Sequence, residues 1–154
     1  MKNEFMKRAI ELSIESVNSG GGPFGTVIVK DKKILAEGSN RVTSTNDPTA
    51  HGEIVAIRKA CANLKNFNLS GCELYSTCEP CPMCLSAIYW SRISKVYFAN
   101  TRNDAQKIDF DDSFIYSEFE KKITERKIPM TQMMRNEALK AFELWNKKTD
   151  KVKY

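Results

Sequence analysis

Nowhere in these 154 residues do about 18 apolar residues follow one another, the length a membrane-spanning helix needs. The start of the chain has no basic segment followed by an apolar run, so neither export nor a membrane span is expected, and a cytoplasmic location is. Internal repeats and low-complexity blocks are missing too, which removes repeat architectures from consideration. Cysteine is sparse at five, and without an export signal these residues point to a reducing compartment rather than to disulfides. Histidine is scarcer still: His51 is the only one, and a lone histidine is usually structural. The charge excess is small, 24 basic against 19 acidic residues for a net +5, and much of it lies in Lys147-Lys148 and Lys151-Val152-Lys153. A nucleic-acid interface needs a broader basic face than such a tail. The length suits one domain, able to bury about 70% of its unfolded surface.

Against that background two short stretches stand out, His51-Gly52-Glu53 and Pro80-Cys81-Pro82-Met83-Cys84, with room between them for one helix, a turn and one strand. Zinc at a working site takes three nitrogen or sulfur ligands and keeps a fourth position for water. His51, Cys81 and Cys84 supply three, for one zinc ion per subunit with water or hydroxide in the fourth place. Glu53 is the expected proton carrier, because the water must lose a proton and a leaving group must gain one.

On an ideal helix His51 and Glu53 point about 200° apart, so both reach a metal only if it lies over the helix N-terminus. Asp47-Pro48-Thr49 is a helix-start signal that puts the triplet at or near such an end. Cys81 falls at an N-cap, Pro82 at the first helical position and Cys84 at the third. Two positive helix ends converging on one site favour thiolate over thiol. The competing reading is a closed, non-catalytic structural zinc module in which Cys78 is the fourth ligand. Pro80 keeps Glu79 extended and assigns Cys78 to the preceding strand, and a closed site leaves Glu53 without a task.

Along the chain, Phe5, Met6, Ala9, Ile10, Ser13, Ile14 and Val17 recur at helical spacing, and Asn18 to Pro23 ends the helix. Thr26–Lys30 and Ile34–Gly38 flank Asp31-Lys32-Lys33 as a hairpin, its first strand apolar enough to be central. Phe24, beside the glycine-rich loop, reads as core or as a stacking platform for a planar ring. Asn40 to Asp47 is expected as a polar loop, in which Asn40 suits either turn chemistry or the edge of a base. Ala50 to Leu64 is a helix with Cys61 buried. Cys72–Thr77 and Lys95–Ala99 are the third and fourth strands. Residues 128–133 are a candidate fifth, and Asn136 to Trp145 is a last helix. Helix, hairpin and two strand–helix units predict a three-layer α/β/α domain on a mixed five-stranded sheet.

H-x-E followed by P-C-x-x-C is the signature of zinc nucleoside and nucleobase deaminases, and this chain resembles them over essentially its whole length. Within that superfamily it is most similar to the bacterial guanine deaminases. The carriers are Gly22-Pro23-Phe24-Gly25, Asn46 to His51, Cys78 to Cys84, Ala87-Ile88-Tyr89-Trp90, Phe110 to Tyr116 and the terminal Tyr154. The resemblance implies the cytidine-deaminase-like fold and hydrolysis of guanine to xanthine and ammonia. It implies guanine between Phe24 and the His51 imidazole, near Trp90, with Asn40 and the Gly52 N–H on its oxygen and ring-nitrogen edge and Asp112 accepting from purine N–H groups. It also implies a homodimer in which residues 130–154 cross over, so that Tyr154 closes the partner's pocket. The family usually has Ala at position 52. Gly is familiar there from fungal cytosine deaminases, and it removes one methyl while leaving the N–H. A tRNA adenosine deaminase and a cytosine or guanosine deaminase are the alternative enzymes.

Overall fold

The structure, a computed structural model, describes residues 2–154. Contacts group these residues into two units, one ending at Asp112 and a second spanning Ser113–Tyr154.

In the first unit the apolar stripe near the N-terminus winds into α1 (Lys2–Asn18). The chain then forms β1 (Gly25–Lys30) and β2 (Lys33–Ser39), joined by Asp31 and Lys32. Both linking residues are left-handed, with φ 49° and 62°, the backbone twist that a two-residue hairpin turn matches to its strands. Next come a one-turn helix α2 (Val42–Thr45), then α3 (Gly52–Leu64), β3 (Glu73–Cys78), α4 (Pro82–Trp90), β4 (Lys95–Asn100) and α5 (Arg102–Gln106).

The sheet order is β2-β1-β3-β4, with β1 antiparallel to both neighbours and β3 parallel to β4. A parallel pair needs a crossover, and α4 is that crossover. β1 is buried along almost its whole length, as its apolar run requires. Its side chains alternate. Val27 and Val29 join Tyr75, Ala9 and Leu12 under α1, while Ile28 joins Leu74, Ala56, Ala60 and Ile88 under α3 and α4. These are the three expected layers. α1 lies so close to the sheet that a Cβ on Gly25 would run into the Ala9 carbonyl oxygen, so the strand can start there only with glycine.

Three expectations are corrected. The sheet has four strands among the described residues, not five: residues 128–133 have no regular structure. Pro129 cannot donate to a strand ladder, and Met134 turns the chain left-handed, with φ 49°, directly into the next helix. The loop from Asn40 to Asp47 contains α2. Asp47-Pro48-Thr49 does not start the long helix, because the Asp47 carboxylate accepts from the Thr49 N–H at 2.8 Å and from its hydroxyl at 2.6 Å. Spent on that turn, it leaves the helix to begin at Gly52.

The second unit comprises α6 (Ser113–Glu120), a 3-10 turn (Ile123–Glu125) and α7 (Arg135–Lys147). Glu118 holds it together locally, accepting from the Lys127 N–H at 2.7 Å and pairing with Lys121. None of residues 113–154 is buried.

Candidate metal centre and active site

Two helix N-termini meet at the carboxyl end of β3. His51 is the N-cap of α3 (φ −69°, ψ 157°) and Cys81 that of α4 (φ −63°, ψ 167°), with Pro82 in the first turn. Neither side chain caps its own helix, so each points its donor atom outward. The Cys81 and Cys84 sulfurs lie 3.5 and 3.6 Å from His51 Nδ1, and all three donor atoms fall within 4.8 Å of one another. Tetrahedral zinc, with bonds of about 2.3 Å to sulfur and 2.0–2.1 Å to nitrogen, sets nitrogen and sulfur about 3.6 Å apart. Both nitrogen–sulfur separations match that geometry, so the donor set fits zinc.

Glu53 is 6% exposed, held at Oε1 by the Ser76 hydroxyl (3.1 Å) and at Oε2 by the Cys84 thiol (3.4 Å). Burial pushes its carboxyl above the usual range. The neighbouring Cys84 sulfur holds Cys81 down at about 4, while the same contact and burial push Cys84 up. The bond to Cys81 raises His51. Thiol and imidazole donors gathered on one side of a small space form a set that releases protons when a metal binds. Cys78 stands apart. Its buried thiol donates to the Thr101 carbonyl at 3.6 Å and is pushed up to about 11 by burial.

The expected recognition residues divide into groups. Phe24, Asn40 and Gly52 are neighbours: the Phe24 carbonyl accepts from the Asn40 N–H at 3.1 Å, and the place of a Gly52 Cβ lies 3.4 Å from that carbonyl oxygen. Asn40 does perform turn chemistry, its Oδ1 accepting from the Val42 N–H at 3.2 Å. Asp112 is half-buried and within electrostatic reach of Cys81. Trp90 ends α4, about 9 Å of helix rise beyond Cys84, and is 68% exposed. Tyr154 lies in the second unit, 73% exposed.

Sequence reasoning gave no site role to Ser76, Thr26 or Phe110, although Phe110 stands in a stretch that carries the resemblance. Ser76 could have been found by parity, since it faces the same side of β3 as core residue Leu74. Thr26, its partner across β1, lies beneath Gly52. A Cβ there would sit 3.0 Å from Thr26 Oγ1, a buried oxygen without a hydrogen-bond partner among the described residues. Gly52 thus makes room for Thr26. Gly52→Ala is expected to cost about 1–3 kcal/mol through overpacking, and adding Thr26→Ala to recover most of it. Thermal melts of the single and double variants check this, and additive losses would contradict it.

Residues 1–100 match the family described as the cytidine and deoxycytidylate deaminase zinc-binding region. The sequence is 54% identical to guanine deaminase of Bacillus subtilis over 151 residues, 97% of each chain. The X-ray structure of that enzyme aligns with a TM-score of 0.96 at 53% identity, covering 99% of this chain and 98% of that one. A tRNA-specific adenosine deaminase of Aquifex aeolicus is 44% identical over 98 residues, 64% of this chain and 65% of that protein. A structure of guanine deaminase from Nitrosomonas europaea aligns with a TM-score of 0.67 at 32% identity, covering 70% of this chain and 63% of that one.

Proposed function

The chain belongs to the zinc-binding cytidine and deoxycytidylate deaminase family, and from that membership we propose that it hydrolyses the exocyclic amine of guanine, giving xanthine and ammonia. One observation carries the choice of base: the 54% identity to a guanine deaminase runs over 97% of both chains, well past the family region that ends at residue 100.

His51, Cys81 and Cys84 would hold the zinc, which when bound supplies Lewis acidity and makes water a nucleophile near neutral pH. Glu53 is the proton carrier. Ser76 fixes Oε1, which leaves Oε2 as the atom that takes the proton from water and passes it to a ring nitrogen, making the amino-bearing carbon electrophilic. Burial disfavours the charged carboxylate, which suits a group that has to take up a proton and pass it on. Hydroxide adds to that carbon, and the same carboxylate then carries the proton of the newly added hydroxyl to the amine as the C–N bond breaks, so one water is consumed and one ammonia released. Phe24 and the His51 imidazole would sandwich the base, with Asn40 and the Gly52 N–H on its oxygen and ring-nitrogen edge. Asp112 would accept from its N–H groups, and Trp90 and the partner's Tyr154 would close over it.

The dimer in that scheme is supported by residues 113–154 themselves. They expose Phe114, Phe119, Phe142, Trp145 and Tyr154 and bury none, and a unit of this size rarely builds a core alone. A second copy of the chain is the expected cover. A sedimentation mass of two chains supports this, and a mass of one overturns it.

Gly52 favours a second reading, a smaller pyrimidine ring. Ammonia release from guanine, guanosine, cytosine, adenine and a tRNA anticodon stem-loop separates these substrates. Turnover fastest on guanine is expected; RNA as sole substrate, or no ammonia from any of them, would refute the proposal.

A further inference from the structure

Phe110 meets Phe24 edge-on, ring centroids 4.9 Å apart and planes at 90°. Everything about the segment that carries Phe110 directs it there. α5 opens with a reciprocal capping box, the Thr101 hydroxyl and the Asp104 carboxylate each serving the other's backbone N–H, which sets where the helix begins. Its far end is closed as firmly. Ala105 is buried, the Phe110 N–H returns to the Ala105 carbonyl at 3.1 Å, and Asp109 takes the left-handed conformation, φ 69°, that this return requires. One residue later the Asp111 carboxylate accepts from Gln106 Nε2 at 3.3 Å. The segment is thus tied to α5 by the backbone N–H groups of Asp109 and Phe110 and by the Asp111 side chain, and Asp112 follows at once.

The other partner is less well held. Phe24 sits between Pro23 and Gly25 on the glycine-rich loop, its N–H bonded to the Gly22 carbonyl at 2.9 Å and its own carbonyl to the Asn40 N–H at 3.1 Å. These bonds fix its backbone but leave the ring only half-buried. An edge-to-face contact selects one ring orientation, because the positive edge of one ring seeks the negative face of the other. Phe110 is itself 46% exposed. A solvent-facing phenylalanine contributes little to a core, so its value lies in the geometry it imposes.

We propose that Phe110 is a positioning residue for base recognition: through its contact with Phe24 it ties residues 109–112 to the glycine-rich loop and holds the stacking ring and the Asp112 carboxylate in register with each other. This rests on the roles proposed for Phe24 and Asp112. It accounts for why an acceptor at the end of one loop and a platform on another, distant in sequence, address the same flat ligand.

The test is steady-state kinetics of Phe110→Ala, Phe110→Leu and Phe110→Tyr on whichever base the wild-type protein turns over fastest. A wrong substrate assignment then changes the probe and leaves the test standing. Phe110→Ala is expected to raise KM by about tenfold, the upper end of what an aromatic pair contributes, with kcat and zinc content near wild type. Phe110→Leu, which keeps bulk but not the ring, is expected to behave like Ala, and Phe110→Tyr to restore KM. In a Phe24→Ala background the same changes are expected to have no further effect. Unchanged KM in Phe110→Ala, KM restored by Leu, or losses additive with Phe24→Ala would each overturn the proposal. So would a fall in kcat in step with lost zinc. If the Ala variant does not fold, the contrast between Leu and Tyr decides.

Discussion

Glu53→Gln is expected to keep one zinc per chain and to lose roughly 10²–10⁴-fold in kcat, the range that positioned proton transfer supplies. The two expectations separate because Glu53 is not among the three donor residues yet lies 3.4 Å from one of them, at the Cys84 sulfur. Glutamine has the same shape: its Oε1 can still accept from the Ser76 hydroxyl and its Nε2 can donate to the Cys84 sulfur in place of the Oε2 contact, so the pocket is preserved and only the proposed proton carrier is removed. Zinc analysis and turnover on one preparation check both halves.

Stability follows with a definite sign. Burial raises the Glu53 carboxyl in the folded chain, so the fold binds its proton more tightly than the unfolded chain does. The resulting cost is absent below the unfolded carboxylate pKa, grows as pH rises toward the folded value and is fully present above it. Metal-free Glu53→Gln has no such charge to bury. At neutral pH it is expected to melt above metal-free wild type, with the gap closing in acid. A wild-type level of turnover in Glu53→Gln would remove Glu53 from the mechanism.

The second large effect is a contrast between two cysteines of one short segment. Cys84→Ala is expected to lose zinc and with it measurable turnover. Cys78→Ala is expected to keep both at a cost of about 1 kcal/mol in stability. Both thiols are buried. Burial alone cannot tell them apart, but direction does: Cys84 faces His51 Nδ1 and Glu53, and Cys78 faces the Thr101 carbonyl. Zinc loss in Cys78→Ala would mean that the metal has a fourth protein ligand and no place for water.

Much of this arrangement was legible in the sequence because it is local. The apolar spacing of α1, the uninterrupted apolar run of β1 and the Cys81-Pro82 start of α4 each carry their instruction within a few residues. The pairing of His51 with the cysteines was readable because zinc dictates the donor set. What stayed hidden depends on distant neighbours. No local pattern announces that Ser76 reaches Glu53, that Thr26 fills the space Gly52 leaves, or that Phe110 meets Phe24. The strand expected at 128–133 failed for a related reason: apolar residues permit a strand, but pairing makes one, and Pro129 withholds a donor. Asp47 misled in the opposite sense, since an N-cap side chain and an Asx turn have the same local signature and only the downstream chain decides between them.

The proposed chemistry needs an open zinc site of one imidazole and two thiolates. Zinc-edge X-ray absorption on freshly purified, active protein reads it directly. The expected first shell is two sulfurs at about 2.3 Å with one imidazole nitrogen and one further light atom at about 2.0 Å. A third sulfur, or active protein without zinc, would contradict it.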